Sequence, residues 1–164
     1  MAWRGSTTVS DRIFACLAYL LPLVEVVGLL LRVGIQNTLF GQIPALQIVL
    51  VPLFPLLQIY FGLPFVGLII FFALFLLVVR NERISHFVRF NTMQSILIVI
   101  VLFLCGILLQ ILLPIPGTIF AISTLANTVF LGVIVAVVYA VVQSALGRYA
   151  EIPAISDAVY MQVR

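Results

Sequence analysis

The sequence predicts an all-α, polytopic membrane protein: a bundle of four transmembrane helices with one additional short, proline-containing segment that re-enters the membrane or does not span it. Of the 164 residues, 65% are hydrophobic and 8% are charged, whereas soluble domains are about 45–50% apolar. Several uninterrupted apolar runs approach or exceed the ~18–20 residues that cross a bilayer as a helix. The sequence shows no alternating segments of about ten residues, which would indicate a β-barrel.

The first predicted span covers residues 13–31. Its apolar run is longer than the ~7–15 residues of a signal-peptide core and has no small-residue cleavage site, so we expect it to be retained. The stretch before it is too short for an organellar transit peptide. Glu25 lies inside this span, where an ionised side chain costs about 2.5–3.5 kcal/mol.

The second apolar segment, residues 45–61, is expected to re-enter or lie flat rather than cross. Pro52 and Pro55 each remove a backbone donor and clash with the preceding helical turn. The tripeptide Gly62-Leu63-Pro64 then breaks the chain before the next predicted span, residues 65–79.

The arginines support this count of spans. All eight basic residues are arginines, and short cytoplasmic loops collect such residues. With spans at 13–31, 65–79, 91–113 and 119–146 and both termini on the cytoplasmic side, seven arginines lie inside and Arg32 alone lies outside. If residues 45–61 also span, the best arrangement gives six against two. Arginines scattered over helix ends suit lipid headgroups better than nucleic acid, so no nucleic-acid partner is expected.

Charge concentrates in residues 80–91, which are predicted to form an inner-face amphipathic loop or helix. Asn81 is the expected N-cap of this helix. A helix over residues 82–112 would be about 46 Å long, well beyond the ~30 Å hydrocarbon core, so its first turns would lie along the surface. The segment is either a topology anchor or a docking face for a partner or lipid headgroups. The candidate contact residues are Arg80, Arg83, His86 and Arg89.

Polar and small residues inside the predicted spans form two further candidate sets. Glu25, Gln110 and Asn127 could line a polar path, or such side chains could simply form interhelical hydrogen bonds. The last span carries a small residue at every fourth position, a row that lets helix backbones approach closely within one chain or between copies. The members of this row are Thr124, Thr128, Gly132, Ala136, Ala140 and Ser144.

Catalytic and cofactor-binding motifs are absent from the sequence. Cys16 and Cys105 lie inside apolar runs without a CxxC motif, as expected of buried small side chains. A single histidine cannot form a His-based metal site, and there is no Walker A or GxSxG motif. We therefore predict no enzyme, no metal site and no cofactor.

Three stretches resemble one known family. They are DRIFACLAYLLPLVE (residues 11–25), PLFPLLQIYFGLPF (52–65) and FFALFLLVVRNERISHFVRFNTMQSIL (71–97). Together they are similar to the twenty-kilodalton subunit of the translocon at the inner envelope membrane of chloroplasts, the Tic twenty family, which also has cyanobacterial members. The resemblance runs from about residue 11 to residue 113 and is weaker over the last span. The matching residues are Leu21, Pro22, Leu23, Arg80, Asn81, Arg89, Phe90, Asn91, Met93 and Gln94.

The resemblance implies a membrane component of a protein-translocation (import) complex that forms a channel after assembly. Its partners would be membrane lipids, further copies or other subunits, and a translocating polypeptide. Plant members begin with a long transit peptide, whereas ten residues precede Asp11 here. The chain therefore resembles a cyanobacterial-type member, located in a cyanobacterial membrane or a plastid inner envelope. The alternative is a non-conducting membrane scaffold or assembly factor that docks partners through residues 80–91.

Overall fold

The computed structural model describes residues 7–153 and 155–163. Within these residues the chain forms eight α-helices, one 3₁₀ turn, one π-helical segment and no strand, which confirms the all-α prediction. The α-helices are Val9–Ala18 (α1), Leu20–Val33 (α2), Leu39–Gln42 (α3), Pro44–Gly62 (α4), Val66–Ala73 (α5), His86–Leu112 (α6), Ile119–Ala145 (α7) and Ser156–Gln162 (α8). The 3₁₀ turn is Ile35–Asn37 and the π-helical segment is Leu74–Val79.

The first span consists of α1 and α2, which together cover Val9–Val33 with a break at Tyr19. The break follows from Pro22, which has no N–H to donate to the carbonyl of Ala18 four residues earlier. The Ser95 hydroxyl of α6 donates to that carbonyl instead, over 2.6 Å. A side chain from another helix therefore replaces the missing backbone hydrogen bond.

Helix α6 begins at His86, one turn later than predicted. Ser85 caps it, because its side chain accepts a hydrogen bond from the backbone N–H of Val88. The side chain of Asn81 instead accepts from the N–H of Arg83 in a local turn. Ser and Asn are equally good N-caps, so the expected helix start near residue 82 with Asn81 as its cap was wrong.

Helices α6 and α7 form a long antiparallel hairpin. Each has 27 residues and is long and apolar enough to cross a membrane. The turn between them, residues 113–118, contains Pro114 and Pro116, and Gly117 has a φ of +83°. We call the end of the bundle where α6 begins and α7 ends the base, and the opposite end the top.

The base brings together segments that are far apart in sequence. The Ser85 hydroxyl donates to the Asp11 carboxylate of α1 over 2.7 Å. The Nδ1 atom of His86 lies 3.0 Å from the Tyr149 hydroxyl, and its Nε2 atom lies 3.3 Å from the carbonyl oxygen of Val163. The start of α1, the loop before α6 and the tail after α7 therefore meet at one end of the bundle.

The short helix α8 is held at the base by packing. A helix of seven residues is not stable alone in water, and α8 is stabilised by an apolar cluster with the start of α6 and the end of the π-helical segment. The buried members of this cluster are Val79, Phe90, Met93, Ile96, Val159 and Val163. A larger apolar core joins α2, α6 and α7 higher in the bundle and includes Leu30, Leu102, Ile122, Ala126 and Phe130.

Helices α4 and α5 form a bent pair. Pro52 and Pro55 lie inside α4 without ending it. The chain bends by 100° between Leu50–Gly62 and Val66–Val79. The pair begins at the top and ends at the base beside α6, so it crosses the bundle once. The described residues therefore contain three helices that could span a membrane, or four spans if the bent pair counts as one.

Candidate functional site

A buried polar cluster joins the first span, α6 and α7 in the half of the bundle next to the base. The Tyr19 hydroxyl donates to Oδ1 of Asn91 over 2.9 Å and accepts a hydrogen bond from Nε2 of Gln94 over 3.0 Å. The Ser144 hydroxyl of α7 donates to the same Asn91 oxygen over 2.9 Å. Each of these side chains is at most 1% exposed.

The cluster is built on one face of α6. Asn91, Gln94 and Ser95 have the i, i+3, i+4 spacing that places side chains on the same side of a helix. Leaving a buried polar group unpaired costs about 1–3 kcal/mol. Among the described residues, the Oε1 atom of Gln94 is the one buried side-chain nitrogen or oxygen without a hydrogen bond. The cluster therefore constrains how the first span, α6 and α7 pack. Tyr19 was not among the predicted site residues, although the spacing of Asn91, Gln94 and Ser95 in the sequence indicated a polar face on α6.

The three residues predicted to line a polar path do not come together. Glu25 accepts a hydrogen bond from the Tyr60 hydroxyl of α4 over 2.5 Å. Asn127 accepts one from the backbone N–H of Leu39 over 3.0 Å and so satisfies a donor at the start of α3, as N-terminal helix donors require. Gln110 is exposed on the outside of α6. Within the described part of the chain these residues form three separate sites.

Glu25 lies at a cavity beside the bend between α4 and α5. The cavity has a volume of about 430 Å³, and its lining includes Glu25, Arg32, Tyr60, Phe65 and Phe103. Phe65 has a left-handed backbone conformation with φ +65° and is 75% exposed. A non-glycine residue in this conformation is strained by about 1–3 kcal/mol, and such strain clusters at functional sites.

The four candidate contact residues near the base fall into three environments. Arg80 and Arg83 are exposed on the loop before α6. His86 is exposed but lies against the tail through both ring nitrogens. Arg89 is only 8% exposed, and its Nε atom donates to the carbonyl oxygen of Val79 over 2.9 Å at the end of the π-helical segment. The geometry therefore leaves Arg80 and Arg83 as the accessible guanidinium groups of this set.

The predicted row of small residues passes from the interior to the surface along α7. Ala140 and Ser144 are buried near the base, whereas Thr124, Thr128 and Gly132 are exposed toward the top. The threonine hydroxyls donate to carbonyls four residues earlier in α7. A methyl group added to Gly132 would meet no atom within 4 Å. The base half of the row packs within this chain, and a contact of its top half with another copy stays a prediction.

These features define a class of protein. Long apolar helices surround polar side chains that are paired between spans, and the described residues contain no group of three or more His, Cys, Asp or Glu side chains that could hold a metal ion. This is the architecture of a polytopic helical membrane protein.

Comparison with known proteins identifies the family. A family model described as "Chloroplast import apparatus Tic20-like" matches residues 9–159. The chain is 46% identical over 165 residues to a Tic20 family protein of Synechocystis, covering 100% of this chain and 99% of the relative. It is 34% identical over 160 residues to the protein TIC 20-II, chloroplastic, of Arabidopsis thaliana, covering 96% of this chain and 74% of that protein. It is 35% identical over 171 residues to the Tic20 family protein Ycf60 of Porphyra purpurea, covering 98% and 79%.

The chain therefore belongs to the Tic20 family, which confirms the resemblance found in the sequence. The family match extends to residue 159, so it includes the last span and the start of α8, beyond the residue 113 at which the sequence resemblance weakened. Its relatives are chloroplast or cyanobacterial proteins.

Proposed function

We propose that this chain is a membrane subunit of a protein-translocation apparatus and that it works only in assembly with other membrane subunits or copies of itself. The match of the family model for the chloroplast import apparatus over residues 9–159 is the observation that carries the translocation role. The names of the Arabidopsis relatives, both chloroplastic TIC 20 proteins, support it.

The bend between α4 and α5 supports the need for assembly. Phe65 and Gly67 line a cavity together with Val99 and Phe103, which lie near the middle of α6. The break in helical structure therefore lies near the middle of the membrane. Non-helical backbone at such depth is tolerated only where protein or water covers it. Leu63 and Phe65 are 56% and 75% exposed, so this chain does not cover the break, whereas a neighbouring subunit would.

A conducting path would lie at such an interface. Glu25, Gln110 and Asn127 occupy separate places, so no set of these residues lines a route through the single bundle. Glu25 and Arg32 both line the cavity beside the bend, so a neighbouring subunit placed there would enclose charged groups at membrane depth. Such groups usually face a bundle interior or a water-filled cavity.

The orientation we propose places both ends of the chain on the cytoplasmic or stromal side. Arg12, Arg80, Arg83, Arg89 and Arg148 are the five described arginines at the base, and Arg32 is the one toward the top. Arginine collects on the cytoplasmic side of a membrane. The membrane would be a cyanobacterial one, or the inner envelope of a plastid.

Photo-crosslinking from the bend tests the proposed role. A photoreactive phenylalanine analogue replaces Phe65 in the full chain. This chain is expressed in Synechocystis in place of the related protein, and membranes are prepared that carry an export precursor arrested in transit. We expect adducts with the precursor or with other membrane proteins. Phe120, 80% exposed at the top of α7, provides a matched control for exposure. Adducts from Phe65 that are no more abundant than those from Phe120, with and without precursor, would contradict the proposal.

Orientation is tested separately by labelling in sealed, oriented vesicles. Single cysteines replace Arg83, Glu151 or Gln36 in a chain whose Cys16 and Cys105 are alanine. A membrane-impermeant maleimide should label positions 83 and 151 from the cytoplasmic face and position 36 only from the opposite face. Labelling of positions 83 and 151 from opposite faces would refute the layout.

A further inference from the structure

An apolar groove runs along the outside of the bundle between the first span and the helix formed by α5 and the π-helical segment. Its volume is about 300 Å³. One wall runs from Phe14 to Val24, the other runs from Val66 to Val78, and Val88 of α6 forms part of the floor. The groove is open to the side, since Phe14 is 61% exposed.

The length of the groove matches one leaflet of a bilayer. The ten residue steps from Phe14 to Val24 correspond to a rise of about 15 Å along the helix axis, which is half of the ~30 Å hydrocarbon core. The groove begins at the base, and Ile59 and Tyr60 of α4 line its other end near the middle of the bundle. It therefore lies where the acyl chains of a single leaflet lie.

The lining of the groove selects an apolar occupant. All of its lining side chains are apolar except Tyr60 and Thr92, and the groove is open to the side, toward the surrounding lipid. An acyl chain of that leaflet matches both the chemistry and the position of the groove.

The charge at the mouth of the groove selects the headgroup. Val78 lines the groove near the base, and Arg80 and Arg83, which follow it by two and five residues in the sequence, both have exposed side chains. Neither guanidinium has a hydrogen bond or ion pair with another described residue. Glu82 lies between them, so the three side chains carry a net charge of +1. A phosphate at the base would therefore find two unpaired donors.

We propose that this groove binds one acyl chain of an anionic phospholipid whose phosphate is held by Arg80 and Arg83. The groove is formed because the broken α4–α5 span leaves the base half of the first span uncovered on this side. The site requires neither translocation nor a protein partner, so it is independent of the proposed function.

Native mass spectrometry of the delipidated full chain tests the acyl-chain site. The protein is mixed with equal amounts of dioleoyl phosphatidylglycerol and dioleoyl phosphatidylcholine. We expect one phosphatidylglycerol retained per chain. Leu74→Trp fills the groove and should lower this retention about tenfold, which corresponds to the loss of about two buried methylene groups of the lipid. Val135→Trp, on the outside of α7, is the control and should leave retention unchanged. Undiminished retention in Leu74→Trp would overturn the proposal. So would a protein that is dimeric without bound lipid and becomes monomeric in Leu74→Trp, because a second copy would then occupy the groove.

The headgroup site is tested on the exposed loop, where substitutions do not disturb the core. Arg80→Gln with Arg83→Gln should reduce retention of phosphatidylglycerol roughly 25-fold, about fivefold for each arginine. Arg148→Gln, an exposed arginine elsewhere at the base, serves as the control and should retain the lipid. If phosphatidylglycerol and phosphatidylcholine are retained equally and the double substitution has no effect, the proposal fails. This outcome does not depend on whether the Leu74→Trp protein folds.

Discussion

The two halves of α6 are surrounded very differently. From Phe87 to Ile96, near the base, every side chain is buried. Beyond Ile100 only Leu102, Gly106 and Leu109 are buried, a single stripe along the helix. In the base half the first span, the π-helical segment, α7 and α8 enclose α6, and polar side chains fix their packing. The top half is an apolar surface that this chain leaves largely uncovered.

The difference shows where the fold is specified. Hydrocarbon solvates apolar side chains as well as another helix does, so burial alone hardly drives helices together in a bilayer, whereas packing and interhelical hydrogen bonds do. In its base half, α6 forms side-chain hydrogen bonds with other helices, and truncation of its buried side chains there would leave cavities. We therefore expect substitutions there to destabilise the chain and equivalent substitutions in the top half to leave it folded.

The largest expected effect comes from paired phenylalanine substitutions in α6. Phe90 is 0% exposed and packs against the rings of Tyr149 and Tyr160, while Phe103 is 64% exposed. Phe90→Ala should lower the free energy of unfolding by about 3 kcal/mol because of the cavity it leaves. Phe103→Ala should change it by less than about 0.5 kcal/mol. Denaturation of the protein in mild detergent measures the free energy of unfolding of both variants. Equal losses in the two variants would contradict the difference between the halves of α6.

The next effect comes from the polar cluster. Asn91→Leu removes hydrogen bonds to Tyr19, Ser144 and the Phe87 carbonyl, and we expect a loss of roughly 2–3 kcal/mol since each bond in a membrane contributes about 0.6 kcal/mol and unpaired groups remain. Gln110→Leu, on the exposed surface, is the control. Unfolding monitored by circular dichroism measures both, and an Asn91→Leu protein as stable as Gln110→Leu would show that the cluster does not hold the helices together.

A glycine pair sharpens the comparison on other helices. A methyl group added to Gly28 of α2 would collide with the ring of Phe61 in α4, whereas one added to Gly132 would meet nothing. Gly28→Ala should cost about 1–2 kcal/mol through displaced packing. Gly132→Ala should leave the fold unchanged and weaken self-association only if the exposed part of the small-residue row contacts another copy. Sedimentation in detergent measures that association.

The smallest effect is a coupling between Pro22 and Ser95. Pro22→Ala restores an N–H that can donate to the Ala18 carbonyl, so the hydrogen bond from Ser95 becomes dispensable. Ser95→Ala should therefore cost about 1 kcal/mol in the native background and nearly nothing with Pro22→Ala. A double-mutant cycle measures this difference, and additive costs would show that the serine does not replace the proline's missing donor.

Local signals in the sequence were sufficient for the fold class and for most helix positions. Long apolar runs predicted the spans, and Gly62-Leu63-Pro64 marked the place where α4 ends and the chain bends. The start of α6 was misplaced because Asn81 and Ser85 are both competent caps, and only the packing around the helix decides between them. α8 could not be predicted, since its stability comes from contacts with residues about 70 positions away in the chain.

The candidate sites were less predictable for the same reason. The intramembrane Glu25 was a readable signal, but its partner Tyr60 is 35 residues distant. Tyr19 looked like one more apolar residue in an apolar run, and its two partners on α6 are 72 and 75 residues away. Arg89 was expected at the surface because charged residues cluster around it, yet it satisfies the carbonyl of Val79 inside the protein.

The hydrogen bond from the Ser95 hydroxyl to the Ala18 carbonyl, which replaces the one that Pro22 cannot form, determines when the first span is completed during synthesis. Ser95 follows Ala18 by 77 residues, so a ribosome that adds about 5–20 residues per second needs roughly 4–15 s to deliver it. During that interval the first span resides in the translocon or the lipid with an unsatisfied carbonyl in its middle. The nascent first span is therefore an incomplete helix that is completed only when α6 packs beside it.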